Sequence, residues 1–282
     1  MRTSIAHLPA SHQRQILDIT NIILEAVQVD KIILFGSYAR GNYVEHRYTG
    51  KDGVLYEYVS DYDFLVIVPE LKEKEFVIEE KIGGQTNHLR HAVNIIVHDL
   101  AFVNQSLADG WYFFSEIVND GILLYDAGGT PLAAARDLSA DEKKAHSRRN
   151  FEKWMERVGE YRAAADGAFE RGSLNHAIFC LHQAVECLYY TMLLVHTSYK
   201  PKTHQLTNLR QQTKNYSEAL YLLFNEKGSK EDRRLFNLLN RAYIDARYKD
   251  DFEVSQEDVV SLQLKVNEMT RIVKESCESL IN

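Results

Sequence analysis

Apolar positions recur along this chain in two rhythms, and the change between them divides it. In the first half, Ile16, Ile19, Ile23 and Val27 fall at helical spacing and predict an amphipathic helix over 12–27. Strands are predicted at 31–35, 93–97 and 122–125, where short apolar runs are bounded by turn residues. The stretch 54–68, rich in Val, Tyr, Leu and Ile, pairs in this reading with 44–49 as a hairpin across the turn Gly50 to Gly53. Leu107, Trp111, Phe114 and Val118 repeat at helical intervals, with Gly110 inside the run working against a helix.

In the second half, Ile178, Leu181, Val185, Leu188, Met192 and Val195 alternate spacings of three and four, which is the seam of a helical bundle on a helix over 173–196. Phe179, Cys187 and Leu194 lie off that stripe, so the helix is expected to be buried on more than one side. Further amphipathic helices are predicted over 140–169, 206–224, 232–246 and 256–280. The Gly-Gly and Pro of 126–131 mark the exit from the first half. The expected class is α+β: a domain over 1–130 with a mixed sheet and flanking helices, then an all-α helical bundle over 139–282.

Composition adds boundaries to this picture. The length of 282 residues suits two domains of the usual ~150 residues, and 45% apolar with 26% charged residues excludes a disordered or collagen-like chain. A net charge of −7 argues against coating nucleic acid through bulk positive charge. The total hides an asymmetry: residues 1–138 hold 11 Lys+Arg against 19 Asp+Glu, whereas 139–282 hold 22 against 21. No signal-peptide core opens the chain and no window of about 18 uninterrupted apolar residues follows, so a cytoplasmic protein with no membrane partner is expected. Three cysteines make no disulfide framework, and Cys180 and Cys187, seven positions apart in a helical pattern, stand roughly 10 Å apart, beyond disulfide reach. No C-x-x-C or H-x-x-x-H pair points to structural zinc.

The candidate chemistry lies in Leu34-Phe35-Gly36-Ser37-Tyr38-Ala39-Arg40-Gly41, followed by Val59-Ser60-Asp61-Tyr62-Asp63-Phe64-Leu65-Val66. The first piece is an apolar strand that breaks at Gly36-Ser37 and enters a helix; backbone N–H groups there, the Ser37 hydroxyl and the Arg40 guanidinium suit a triphosphate. The second puts two carboxylates at i and i+2, on one face of a strand and about 7 Å apart at Cα, which suits hard divalent cations. Each feature is common on its own, as a turn or a solvated edge. Together they describe phosphoryl chemistry.

At these residues, over about 10–126, the chain resembles the nucleotidyltransferase superfamily that includes DNA polymerase beta, and within it the minimal nucleotidyltransferases and kanamycin nucleotidyltransferase. The resemblance implies that Gly36 and Ser37 bind the nucleotide, that Arg40 lies near it, and that Asp61 and Asp63 are the catalytic, metal-holding carboxylates for Mg²⁺ or Mn²⁺. It implies transfer of a nucleoside monophosphate, most plausibly AMP from ATP, to an acceptor hydroxyl with release of pyrophosphate. Two departures stand out. Nineteen residues separate Gly41 from Asp61, more than the family usually has. The family's third carboxylate falls on a later strand, where this chain reads Val93-Asn94-Ile95-Ile96-Val97, so Asn94 takes its place; an amide brings no charge and is a poor base. His98 and Asp99 come too late in register to replace it, unless a bulge moves Asp99 in.

In the second half, His182-Gln183-Ala184-Val185-Glu186 on the central helix, the later Pro201-Lys202-Thr203-His204-Gln205-Leu206, and Arg241-Ala242-Tyr243-Ile244-Asp245-Ala246-Arg247-Tyr248 resemble the HEPN family of helical domains over about 140–280. His182, Glu186 and Tyr189 share one helix face. They read either as a polar patch toward nucleotide or acceptor or, as favoured, with His182 and Glu186 paired with each other, Arg241 or Arg247 inside the bundle. HEPN ribonucleases carry an Arg and a His four to six residues apart near the last long helices. This chain has Arg241 and Arg247 there, and its Arg171…His176 precedes the central helix, so no ribonuclease activity is expected. Tyr248 is the nearest analogue of the tyrosine that partner nucleotidyltransferases modify in related toxin–antitoxin pairs. Lys143, Lys144, Arg148, Arg149, Lys153, Arg157 and Arg162 form a basic cluster that reads as a solvated face, a contact to the acidic half or an RNA surface.

The expected function is Mg²⁺-dependent nucleotidyl transfer, with the helical domain aiding substrate binding and a homodimer as a candidate assembly. The expected partners are a nucleoside triphosphate and an unidentified acceptor: small molecule, protein or RNA. The alternatives are a catalytically weak nucleotide-binding regulatory module and a toxin–antitoxin-like fusion that binds RNA.

Overall fold

The computed structural model describes residues 1–49, 55–89, 91–225 and 229–282, with side chains throughout except at 46–48 and 55–58. The turn read at Gly50 to Gly53 lies outside the described residues. The chain divides into two compact units, Met1–His46 with Tyr58–Leu138, and Arg47–Glu57 with Ser139–Asn282.

Along the chain, α1 (Ala10–Ala26) leads into β1 (Lys31–Phe35), the single turn α2 (Gly36–Arg40), β2 (Glu45–Thr49), β3 (Leu55–Val59) and β4 (Tyr62–Val68). Then follow α3 (Glu75–Thr86), β5 (Val93–Asp99), α4 (Leu100–Ala108), α5 (Tyr112–Asp120) and β6 (Ile122–Asp126). Four strands form a mixed sheet in the order β5-β4-β1-β6: β4 runs antiparallel to β1 and parallel to β5, and β1 is antiparallel to β6. The strands β2 and β3 form a separate two-stranded sheet.

Strand alternation sends Ile32 and Leu34 with Phe64 and Val66 to one side, where Ile16, Ile19 and Ile23 of α1 and Ile78 and Ile82 of α3 complete a core. Ile33, Leu65 and Ile96 face the other side, which α4 and α5 cover. Every residue of β4 is buried, as expected of a central strand covered on both faces. Such a strand holds its register tightly, because a one-residue slip would invert both layers.

The sequence reading and the structure differ here in three places. The stretch 54–68 is two strands in different sheets, β3 paired with β2 and β4 in the four-stranded sheet. The helical run from Leu107 to Val118 is two helices, since Gly110 adopts φ +77 and reverses the chain between α4 and α5. The helix α3 is absent from the sequence reading: Phe76 and Val77 are exposed and Gly83-Gly84 interrupt it, so it carries no clear amphipathic stripe.

The second unit holds α6 (Ala140–Glu170), α7 (Leu174–Thr197), α8 (Leu206–Thr213), α9 (Glu218–Leu222), α10 (Lys230–Tyr248) and α11 (Gln256–Ile281). The single helix expected over 206–224 is therefore two. Serine side chains cap α6, α10 and α11 at their N-termini, each accepting from the N–H three residues on. The helix α7 is packed by α6, α8, α10 and α11. It is also the one described helix long and apolar enough to cross a membrane, but 89% of its apolar window is buried inside the unit, as befits a core helix. All three cysteines are free and buried.

His196 near the end of α7 is an internal weak point. Its Nε2 is buried with no hydrogen-bond partner, its ring lies 4.9 Å from that of Tyr216, and burial pushes its pKa down to about 4. The unfolded chain, with an ordinary imidazole pKa near ~6.5, therefore binds more protons than the folded one between these values, and stability falls as pH drops. Burial lowers His182 in the same direction. We predict that helical-unit stability, followed by Trp154 fluorescence in urea, declines between about pH 6.5 and about pH 4 by up to ~1.4 kcal/mol per unit from His196, and that His196→Phe flattens the slope. Equal slopes would exclude this histidine.

Candidate functional site

The register of β1 against β4 places Phe35 opposite Asp63. The next residue, Gly36, turns the chain at φ +73, and a Cβ there would stand 2.2 Å from Asp63 Oδ2. Only glycine fits, on both conformational and steric grounds. The following turn, α2, is held from outside: Arg2 donates to the Ala39 carbonyl at 2.8 Å and to the Asp120 carbonyl, and His7 Nε2 lies 3.0 Å from the Tyr38 carbonyl. Beneath it, the Tyr38 ring stacks on Tyr43 at 4.5 Å and lies 4.4 Å from Tyr62.

Asp61, just ahead of β4, and Asp63, within it, are each 2% exposed. The parallel pairing of β4 with β5 sets Asn94 beside Asp63, and Asn94 Nδ2 donates to Asp63 Oδ1 at 3.0 Å. Ser37 is 8% exposed, and its hydroxyl has no hydrogen-bond partner. Such a hydroxyl is open to a water or another polar group, as are the buried hydroxyls of Tyr38 and Ser198. Arg40 closes α2 and is exposed. Gly36, Ser37, Asp63 and Asn94 thus come together at the end of β1. Two carboxylates and an amide offer oxygen donors suited to a hard divalent cation. Among the described residues, no group of three or more His, Cys, Asp or Glu is placed to hold a metal ion.

A polar-aromatic cluster beside this site escaped the sequence reading. His12 of α1 and His91 point Nε2 at Glu45 Oε1, at 3.8 and 3.1 Å. His12 Nδ1 bonds the Tyr62 hydroxyl, which donates to Gln15 at 2.7 Å. These residues lie on four separate stretches of chain, so no local pattern announces them.

In the helical unit, His182, Glu186 and Tyr189 share a face of α7, and all three are buried. His182 gives its Nδ1–H to the Leu239 carbonyl at 3.0 Å, leaving Nε2 3.9 Å from Glu186. The main partner of Glu186 is His204, whose Nδ1 donates at 2.9 Å while its ring stacks on Tyr243. Gln183 donates to the other carboxylate oxygen. The expected arginine partners are engaged elsewhere: Arg241 pairs with Asp245, and Arg247 donates to the Tyr243 carbonyl and lies over Phe179, Tyr243 and Tyr248. Arg247 and His176, distant in sequence, line one open groove with Ser173, Asn175, Phe179 and Glu253.

Four members of the basic cluster have partners within the helical unit. Lys144 donates to the Asn282 carbonyl and Arg148 to that of Ile281, where cations favour a helix C-terminus, and Arg162 reaches Asn267. Arg157 lies over the Trp154 ring.

Residues 151–276 match the family model of the HEPN domain, so the helical part of the chain is HEPN-like. No curated protein matches the chain.

We predict that Gly36→Ala destabilises the first unit by at least about 2 kcal/mol, since left-handed strain of ~1–2 kcal/mol adds to the clash with Asp63. Gly128→Ala is the control: its φ is +74, but nothing lies within 4 Å of its Cβ position. Unfolding followed by Trp111 fluorescence measures both; equal losses would remove the role of the Asp63 contact.

Proposed function

We propose that the first unit binds a nucleoside triphosphate, with ATP the leading candidate, and transfers its nucleoside monophosphate to an acceptor hydroxyl. In this reading Asp61 and Asp63 hold Mg²⁺ or Mn²⁺, Ser37 donates to a phosphate oxygen, Gly36 lets the turn lie close against Asp63, and Arg40 lies at the rim. The observation that carries it is the conjunction at the end of β1: a glycine whose Cβ would strike Asp63, followed by a buried hydroxyl that has no protein partner. A bound cation supplies positive charge against that developing on pyrophosphate. The acceptor oxygen forms a bond to the α-phosphorus, the bond from that phosphorus to the bridging oxygen breaks, and pyrophosphate leaves with the electron pair. The hydroxyl proton passes to solvent or to a carboxylate.

The HEPN-like unit is assigned a substrate-binding role without nuclease chemistry, because its Arg241…Arg247 stretch holds no histidine. One observation favours a weaker catalyst: Asn94, where a third carboxylate would serve as ligand or base, presents an N–H to Asp63. That supports a regulatory nucleotide-binding module as the second reading.

The test is incubation with α- or γ-labelled ATP and Mg²⁺, with and without cell extract. Transfer of label from the α position alone is expected, and Asp61→Asn with Asp63→Asn should abolish it. Intact nucleotide binding without transfer would select the regulatory reading; transfer unchanged in the double variant would sink the site assignment.

A further inference from the structure

We propose that Arg2 is a positioning residue for nucleotide binding: it clamps the carbonyl end of the turn α2 and so fixes where Ser37 meets a phosphate chain. This inference rests on the nucleotide-binding reading above and adds to it a residue far from the motif in sequence.

The segment ahead of α1 is anchored at both ends. Its backbone lies along the edge strand β6: Arg2 forms a parallel bridge with Ile122, and the Leu123 N–H donates to the Arg2 carbonyl at 2.8 Å. At the other end, Leu8 is buried in the core beneath the sheet. Two side chains of this segment reach α2. Arg2 Nη2 donates to the Ala39 carbonyl at 2.8 Å and also to the Asp120 carbonyl. His7 gives its Nε2–H to the Tyr38 carbonyl at 3.0 Å, and its ring lies so close to Gly41 that a Cβ there would stand 3.3 Å from its Cδ2.

These bonds matter because of what α2 lacks. It has five residues, too few for internal hydrogen bonds to hold it in place. The last carbonyls of any helix have no partner within it, and a cation is favoured beside them. Ala39 and Asp120 lie in the last turns of α2 and α5, so one guanidinium nitrogen joins two helix ends while its own backbone is fixed on β6. The opposite end of α2 is set by the close approach of Gly36 to Asp63. Ser37 lies between these two restraints, within the same turn as Ala39. A hydrogen bond weakens steeply when its angle is lost, so a turn free to tilt at Ala39 would present the Ser37 hydroxyl poorly. The Ser37 carbonyl accepts from the Gly41 and Asn42 N–H groups at 2.8 and 3.0 Å, which makes those two amides reporters of the turn.

The experiment measures binding of ATP with Mg²⁺ to the full chain by equilibrium dialysis, alongside hydrogen exchange of the Gly41 and Asn42 amides by NMR. Arg2→Met keeps an unbranched stem and removes the donors. Losing a hydrogen bond from a charged group should weaken ATP binding about tenfold or more and speed exchange at both amides by a similar factor, with the β1 amides unchanged. Arg2→Lys, which keeps a multiply donating cation on a shorter stem, should lie between the two. An Arg2→Met protein that is folded by circular dichroism and binds ATP as tightly as the unaltered chain would overturn the inference and leave the nucleotide-binding reading standing. Weaker binding with unchanged exchange would overturn it as well, by making Arg2 a direct contact of the nucleotide. Should Arg2→Met fail to fold, Arg2→Gln takes its place with the same two outcomes. No ATP binding by the unaltered protein would overturn both readings.

Discussion

The approach of the Gly36 backbone to Asp63 is the contact on which the first unit's architecture turns. It follows from the β1–β4 register, which sets the last residue of β1 opposite the second aspartate. At that point the chain has to leave the sheet over a carboxylate, and only a residue without a Cβ does so at this distance. The rest is downstream: the turn α2 begins there, Ser37 is drawn into the interior, and Tyr38 lies under it against Tyr62. Arg2 and His7 then bond carbonyls of α2 and hold the short turn. A turn of this length has little stability of its own, so its position comes from these tertiary bonds.

The helical unit solves a related problem differently. Its central helix is too apolar to face water, yet it carries His182 and Glu186 into the interior. A buried carboxylate is costly unless it is paired and hydrogen-bonded. Here the pairing comes from His204, a residue beyond the end of α7 that is half exposed and stacked on Tyr243. The Pro201-to-Leu206 segment is therefore tied to the core helix by an ion-pair-like contact. In both units a buried acid determines where a neighbouring loop or turn must lie.

How much of this was readable from residues alone depends on how local the signal is. The strand at 31–35 and the helix around Ile178 to Val195 were legible, because a single periodicity holds throughout and burial follows it. Asn94 was singled out from its strand, and parallel register pairs it directly with Asp63. The direction of its amide was not, because donor and acceptor look alike in sequence. The His204–Glu186 contact and the His12–Glu45–His91 cluster join residues 18 to 46 positions apart, for which no spacing rule exists. For the basic cluster the same distance in sequence hides part of its role: Lys144 and Arg148 donate to carbonyls at the end of α11, more than a hundred positions away.

Net charge is the feature whose weight changes most. The first half carries a clear acidic excess, and some of it is crowded enough that burial, with Glu75 and Glu80 adding repulsion, pushes the Glu79 carboxyl up to about 7. Yet charges farther apart than a Debye length of ~8 Å are largely screened at physiological salt. Most of that excess therefore has little bearing on what binds at the end of β1. What bears on it is the short-range set: two buried carboxylates, an amide donor on one of them, and an unpartnered hydroxyl. A polyanionic ligand can enter such a set only together with a cation. On the reading proposed, a nucleotide here depends on this short-range set more than on the charge of the surrounding surface.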